Sequence, residues 1–435
     1  MSVRLAALAI ISVFLGLTVG QVLSPSLAKA AVLSVGGPMV SGQQTREGLE
    51  KAAEGFVQQH PGVEVQFLPS TAEALKVAIV SGAPPDVVFV DGPYVSSWAV
   101  SGLIVPLTAY IHRDGVSRGD FIPPTWRQTE WNGEVWAMSV IVDPNFALLY
   151  NMDLYDAAGL DANNPPETIP QFEEVFRALT RYNADGVMAQ IGMVPWEVFG
   201  YGNTMYTWGW IFGGRFFDYE TNAVTANDPR NVRALDWLRR YYEQYVGGVG
   251  ELSRRVAQGD RFTNGFEAMV FSHTGRVKSV KDTVPDLRFG IAAMPYDPAE
   301  GSPNPTWVGG WTLAIPAGAA NPDLAWEFIK YVTATPEGTE AFAITSGWFP
   351  SYIPSPAFQI FLDDPVMGPF VDIIVKAKNQ RPVIPVQELY VSEMEAALTD
   401  VFAGRVPPVE ALARVASRVQ LEFDRVMNEA KGPLP

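Results

Sequence analysis

The run Val87-Val88-Phe89-Val90 is apolar at every position. Gly82-Ala83-Pro84-Pro85 precedes it and Asp91-Gly92-Pro93 follows. A strand without a polar face must be covered on both sides, the situation of a parallel strand inside an α/β sheet. Its neighbours agree. Residues 31–35 are a short apolar run. Thr45 then precedes Leu49, Ala52, Ala53, Phe56 and Val57 at helical spacing. His60-Pro61-Gly62 ends that helix, residues 63–68 alternate as a strand, and Leu75, Val77, Ile79 and Val80 mark a second amphipathic helix. Strand, helix, strand, helix, strand is a βαβ rhythm, so the expected fold class is α/β.

Further helices carry start signals. Asp228-Pro229 precedes Leu235, Leu238, Tyr242 and Tyr245; Asn321-Pro322 precedes Leu324, Ala325, Phe328 and Ile329; Pro407-Pro408 precedes Leu412, Val415 and Val419. Pro and Gly number 35 and 38 but are dispersed, with no linker tract and no repeat. The absence of a clean boundary in 435 residues fits domains between which the chain passes more than once.

Composition narrows the function classes. Asp and Glu total 47 against 31 Lys and Arg, a net charge of −16, which disfavours nucleic acid. No cysteine is present, so disulfides, thiolate metal sites, cysteine nucleophiles and lipidated cysteine anchors are excluded. The three histidines, at 60, 112 and 273, are too few for a histidine-rich metal site. Catalytic and phosphate-loop signatures are missing, and no metal or cofactor is expected.

Residues 1–30 read as an export signal: Arg4, an apolar stretch over 5–19, then Ala28-Lys29-Ala30 at the cleavage site. Removing Arg4 and Lys29 takes the charge from −16 to −18. The rival reading keeps residues 5–23 as an uncleaved tether. An exported chain without an anchoring cysteine is expected in a periplasm.

Several segments in order resemble the family 1 extracellular solute-binding proteins of ABC importers, the group containing the maltose-binding proteins. These are Ser81-Gly82-Ala83-Pro84-Pro85-Asp86 with Gly102-Leu103-Ile104-Val105-Pro106-Leu107, and Leu149-Tyr150-Asn151 with Ala158-Gly159-Leu160 and Pro165-Pro166-Glu167-Thr168. Phe262-Thr263-Asn264-Gly265-Phe266-Glu267-Ala268-Met269, Gly309-Gly310-Trp311 and Thr335-Pro336-Glu337-Gly338 follow. The resemblance implies a type II periplasmic-binding-protein clamshell, each lobe a βα sheet sandwich, with three hinge crossings near residues 141–144, 291–295 and 331–335. One lobe would comprise residues 31–142 plus 295–333 and the other 143–294 plus 334–435. It further implies a monomeric, non-enzymatic receptor for a mono- or oligosaccharide, with ABC permease subunits as partners.

A sugar needs flat aromatic faces for its C–H patches and planar polar groups for its hydroxyls. Asp91 follows the buried strand and Tyr94 lies a turn on; Gln43 and Gln44 occupy the matching loop after the first strand; Asp143 is at the first crossing. Trp196 and Glu197 lie in a loop of the second lobe, and His273 with Arg276 follows the Ala268-Met269 strand. Gly310 and Trp311 begin another strand, and Trp348 sits near the third crossing. The chain departs from the maltose-binding pattern at Val90-Asp91-Gly92-Pro93 and Ser272-His273-Thr274-Gly275, so another saccharide is expected. Two alternatives stay open. One is a receptor for a glycerophosphodiester or polyamine, with Arg276 and Arg215 holding phosphate or the acidic balance suiting a polyamine. The other is a secreted carbohydrate-active enzyme using Asp91 and Asp143 as an acid pair.

Overall fold

The computed structural model describes residues 31–256 and 259–429, so the export signal read in residues 1–30 lies outside them. The first lobe forms around the apolar run. β1 (Ala31–Gly37), α1 (Gln43–Gln59), β2 (Val63–Pro69), α2 (Ala72–Val80) and β3 (Val87–Asp91) succeed one another as the pattern predicts. β1 lies between β2 and β3, parallel to both, with Ala31 opposite Val63 and Val35 opposite Val87. The strand Trp311–Ala314 adds antiparallel to β3, and Met138–Ser139 completes five strands.

Period-two alternation explains why β3 has no polar face. Val87 and Phe89 enter a core with Leu49 and Phe56 of α1 and Trp326 and Phe328 of the helix Pro322–Ala334. Val88 and Val90 point the other way, onto Leu75, Ile79 and Trp98. All four are at most 2% exposed, and burying each contributes about 1.5–3 kcal/mol. Asp86, just before the strand, accepts from the Ser34 and Asn321 backbone N–H groups at 2.9 and 3.0 Å, tying the sheet to that helix.

The second lobe is built on Ala147–Asn151, flanked antiparallel by Met269–Ser272 and Phe289–Ala292. Helices Ile169–Leu179, Tyr201–Ile211, Pro229–Arg254, Gln387–Phe402 and Pro408–Glu429 surround an aromatic core that includes Phe172, Phe176, Trp208, Trp237 and Tyr390. Asp228 caps its helix by accepting from Arg230 N–H at 2.9 Å, as the Asp-Pro signal predicts.

Three chain passages join the lobes and bond to one another. The first runs through Asp143–Asn145, which pairs antiparallel with Trp307–Gly309, the second. The third follows Ser346, where the Val142 N–H donates to the Phe349 carbonyl at 2.7 Å. The second and third fall later than the sequence suggests. Pro295 looks like an exit, but Tyr296 and Asp297 turn back and donate their N–H groups to Glu167 and Ile211 of the second lobe. Thr335-Pro336 only restarts a helix, Thr335 accepting from Gly338 N–H. That helix, Pro336–Ser346, lies on α1 in the first lobe rather than with the residues after it. Gly48 permits this contact, because a Cβ there would meet the Phe342 carbonyl oxygen at 2.9 Å.

Candidate functional site

Asp91 is the last residue of β3. It sits in register with Trp311, while Gly92 N–H bonds the Gly310 carbonyl at 2.9 Å. Both Asp91 oxygens accept from Arg381 Nη2, at 2.7 and 2.8 Å. The Arg381 guanidinium is also over the Trp307 and Tyr94 rings, 5.2 and 5.9 Å from their centroids. Burial works against its charge, but Asp91 and Tyr94 outweigh that and its pKa is raised. Tyr94 is pushed up to about 12 by burial, with the Asp91 charge adding and Arg381 opposing. Asp91 is therefore an anchor for Arg381. Nearby, Lys76 of α2 bonds Glu388 of the second lobe at 2.7 Å.

A second constellation brings Trp348, His273 and Phe199 together. Trp348 stacks on His273 at 4.9 Å and 13°, and its Nε1 donates to Thr45 Oγ1 in the first turn of α1. Gly275 makes room for the indole, since a Cβ there would lie 2.9 Å from the Trp348 ring. Phe199 meets His273 at 5.0 Å and stacks on Phe146 at 5.3 Å. Phe199 is 52% exposed at φ 51°, a left-handed conformation that strains a bulky residue by about 1–3 kcal/mol. Burial, aided by Arg276, lowers the His273 pKa to about 4, so the imidazole is neutral at pH 7.

Where the strand Met269–Ser272 gives way to the helix Thr274–Thr283, four buried polar atoms have no hydrogen-bond partner among the described residues: Ser272 Oγ, His273 Nδ1, Thr274 Oγ1 and Arg276 Nε. Arg276 pairs through its Nη2 with Asp260. A cavity of about 380 Å³ meets Phe199, Glu197, Arg261, Ser272 and Arg276. Arg261 bridges Glu197 and the buried Glu267, whose carboxylate also accepts from Val194 N–H at 2.7 Å. Burial raises Glu267 to about 7, against the pull of Arg261.

The residues singled out from sequence are thus distributed unevenly. Asp91, Tyr94, Gly310 and Trp311 gather at the sheet end, and His273, Trp348, Glu197 and Arg276 around the second constellation. Gln43 and Gln44 are in the first turn of α1 instead of a loop, beside Thr45, and Gln43 bonds Glu47. Asp143 pairs with Gly309 in the hinge ladder. Trp196 is 2% exposed and packs edge-on against Tyr242, so it belongs to the core of the second lobe. Its neighbour Glu197 is exposed, between the buried Trp196 and Val198. Arg381 and Phe199 were missed. Arg381 has no local signal; Phe199 had one, an aromatic immediately before Gly200 in a loop.

Residues 41–339 match the family described as bacterial extracellular solute-binding protein. The maltotriose-binding protein of Pyrococcus abyssi is 26% identical over 69% of this chain, and the sn-glycerol-3-phosphate-binding periplasmic protein UgpB of Pectobacterium atrosepticum 24% over 62%. Each alignment spans 62% of the relative's own length. Among solved structures, mannobiose-bound CpMnBP1 superimposes with a TM-score of 0.79 at 22% identity, covering 90% of this chain and all of that one. UgpB of Mycobacterium tuberculosis in complex with glycerophosphocholine gives 0.72 at 21%, covering 91% and 99%.

Proposed function

The chain belongs to the bacterial extracellular solute-binding protein family and has the two-lobed type II fold; from this we propose that it is a receptor that binds a mono- or oligosaccharide between its lobes and delivers it to an ABC import permease. The observation that carries the reading is an exposed ring set beside unpartnered buried polar atoms. Phe199 offers a face to sugar C–H groups. Ser272 Oγ, His273 Nδ1, Thr274 Oγ1 and Arg276 Nε meet no hydrogen-bond partner among the described residues. An unpaired buried polar atom costs about 1–3 kcal/mol, which sugar hydroxyls would offset. The maltotriose- and mannobiose-binding relatives support the same ligand class.

In this proposal residues 31–141 and 310–346 form one lobe, and 146–306 with 350–429 the other. Trp311, Gln43 and Gln44 face the ligand from the first, Glu197, His273 and Arg276 from the second, and Trp348 from the third passage between them. Closure is a population shift, because only the closed form lets both lobes touch the sugar. The protein acts by binding without turnover, and it works in a periplasm. Titration calorimetry with mannobiose, mannotriose, maltotriose and monosaccharides, followed by tryptophan fluorescence and small-angle scattering, tests this. Heat, a fluorescence change and compaction with one of them are expected. Silence across the panel would remove the saccharide reading.

One observation favours a second reading. Two hydroxyls and an arginine nitrogen without partners at the start of a ten-residue helix also suit an anion, and the UgpB relatives are consistent with a glycerophosphodiester. Binding of glycerophosphocholine with no response to neutral sugars would establish it.

A further inference from the structure

The segment that delivers Arg381 to Asp91 has another face. Lys378, Gln380, Pro382 and Val383 line a separate crevice of about 870 Å³ into which Arg381 does not project. Its walls are the hairpin of Glu130–Trp131 with Glu134–Val135 from the first lobe, and that of Phe217–Asp218 with Ala223–Val224 from the second.

Four cations line this crevice in a chain of net charge −16: Arg118, Arg127, Arg215 and Lys378. The lone lining carboxylate among the described residues, Glu130, is already engaged. It pairs with Arg118 at 3.2 Å and accepts from Trp126 Nε1 at 2.7 Å. Arg127 donates Nε to the neutral Gln380 Oε1 at 3.0 Å, so its two terminal nitrogens are left for a ligand. Lys378 and Arg215 make no ion pair within 4 Å among the described residues, although the Arg215 charge reaches Asp218 and Asp228 and lowers the pKa of both. Asp218, three residues past Arg215, is bonded to its own turn through Glu220 and Thr221 N–H. Burial lowers the Arg127 pKa, with the Arg118 charge adding and Tyr219 and Glu130 opposing.

Aromatic faces accompany the cations. Tyr219 is 57% exposed, and its hydroxyl accepts from Val383 N–H at 3.0 Å, which sets the ring against the 378–384 segment. Trp131 lines the opposite wall. Guanidinium forks recognise planar or tetrahedral oxyanions, and flat rings take sugar faces.

We infer that this crevice is a second ligand site, distinct from the cleft at Phe199 and His273, and that it takes a polyvalent oxyanion: a uronate- or sulfate-bearing oligosaccharide, or a free oligophosphate. It does not depend on what occupies the main cleft. Because Arg118, Arg127 and Trp131 come from one lobe and Arg215 and Tyr219 from the other, an occupant holds the lobes in the arrangement described here. By linkage it then changes the affinity of the main cleft for its own ligand, and that ligand changes the affinity of the crevice by the same factor.

The test is titration calorimetry of the whole protein at low ionic strength with trigalacturonate, with tripolyphosphate and with neutral mannotriose. The same titrations are run on the Arg215→Gln/Lys378→Gln double variant. An Arg240→Gln/Arg254→Gln variant removes equal charge from the surface helix Pro229–Arg254 as a control. Binding of at least one anion is expected, weakened about tenfold or more in the first variant, unchanged in the control and falling with salt. Trigalacturonate binding alone identifies an acidic saccharide, and tripolyphosphate alone a phosphate. The inference is overturned if neither anion binds, or if both double variants weaken binding equally. It also fails if mannotriose competes with the anion.

Discussion

Asp91→Asn isolates the electrostatic part of the Asp91–Arg381 pair. The amide keeps the shape of the carboxylate and removes its charge. Arg381 is 6% exposed, so the variant leaves a guanidinium between Trp307 and Tyr94 with no anion within reach of the bonds it makes at 2.7 and 2.8 Å. Stripping one partner from a buried ion pair destabilises by about 3–5 kcal/mol. For a cooperative unit the size of one lobe, about 3 kcal/mol lowers the melting temperature by roughly 6–12 °C. The molecule has one route of relief, which is to part the lobes until water reaches Arg381. Melting is therefore read together with the radius of gyration of the ligand-free protein, and a lower melting point, a larger radius or both are expected. Asp91→Asn/Arg381→Met should recover most of the loss, because no charge then remains buried. An unchanged melting temperature and radius in Asp91→Asn would refute the reasoning. A double variant as impaired as the single one would place the effect in packing rather than charge.

Phe199→Ala should weaken saccharide binding about tenfold, some 1.4 kcal/mol, while melting changes little because the ring is half exposed; unaltered affinity removes Phe199 from the site. Gly275→Ala places a methyl 2.9 Å from the Trp348 ring and should destabilise by about 1–3 kcal/mol with a shift in tryptophan emission, so an unperturbed melting curve counts against the described packing. Glu267 has its folded pKa raised from 4.5 to about 7, so its stabilising effect is complete below pH 4.5 and fades as pH rises through 7. The window is worth on the order of 3 kcal/mol, and Glu267→Gln should flatten that slope in urea denaturation followed from pH 4.5 to 7. His273 has the opposite sense: its folded pKa is lowered to about 4, so stability is present above 6.5 and is lost as pH falls toward 4. Its imidazole carbon resonance should hold steady from pH 7 down to about 5, and titration near 6.5 would show that the ring is not buried as described.

What could be read along the chain was whatever one element needs for itself. Val87-Val88-Phe89-Val90 demanded a layer on each side and received α1 with the helix Pro322–Ala334 on one face and α2 with Trp98 on the other. Asp228-Pro229 marked a helix start because a cap satisfies backbone groups within one turn. The end of β3 pointed to Asp91 for the same local reason, since a strand places its last residue at the sheet margin.

What depended on the return of distant chain was decided only in three dimensions. Arg381 reaches Asp91 from 290 residues away, and no local pattern distinguishes it from any other loop arginine. Trp196 and Trp348 are both tryptophans in loops, yet one faces Tyr242 in a core and the other His273 and Thr45 between lobes. Residues 331–335 read as a crossing, but the helix Pro336–Ser346 that follows them stays on α1, in the space that Gly48 leaves for it. Hydrophobic periodicity and capping are short-range and appear in the sequence itself. Ion pairs, ring contacts and helix docking are settled by which surfaces the completed fold presses together.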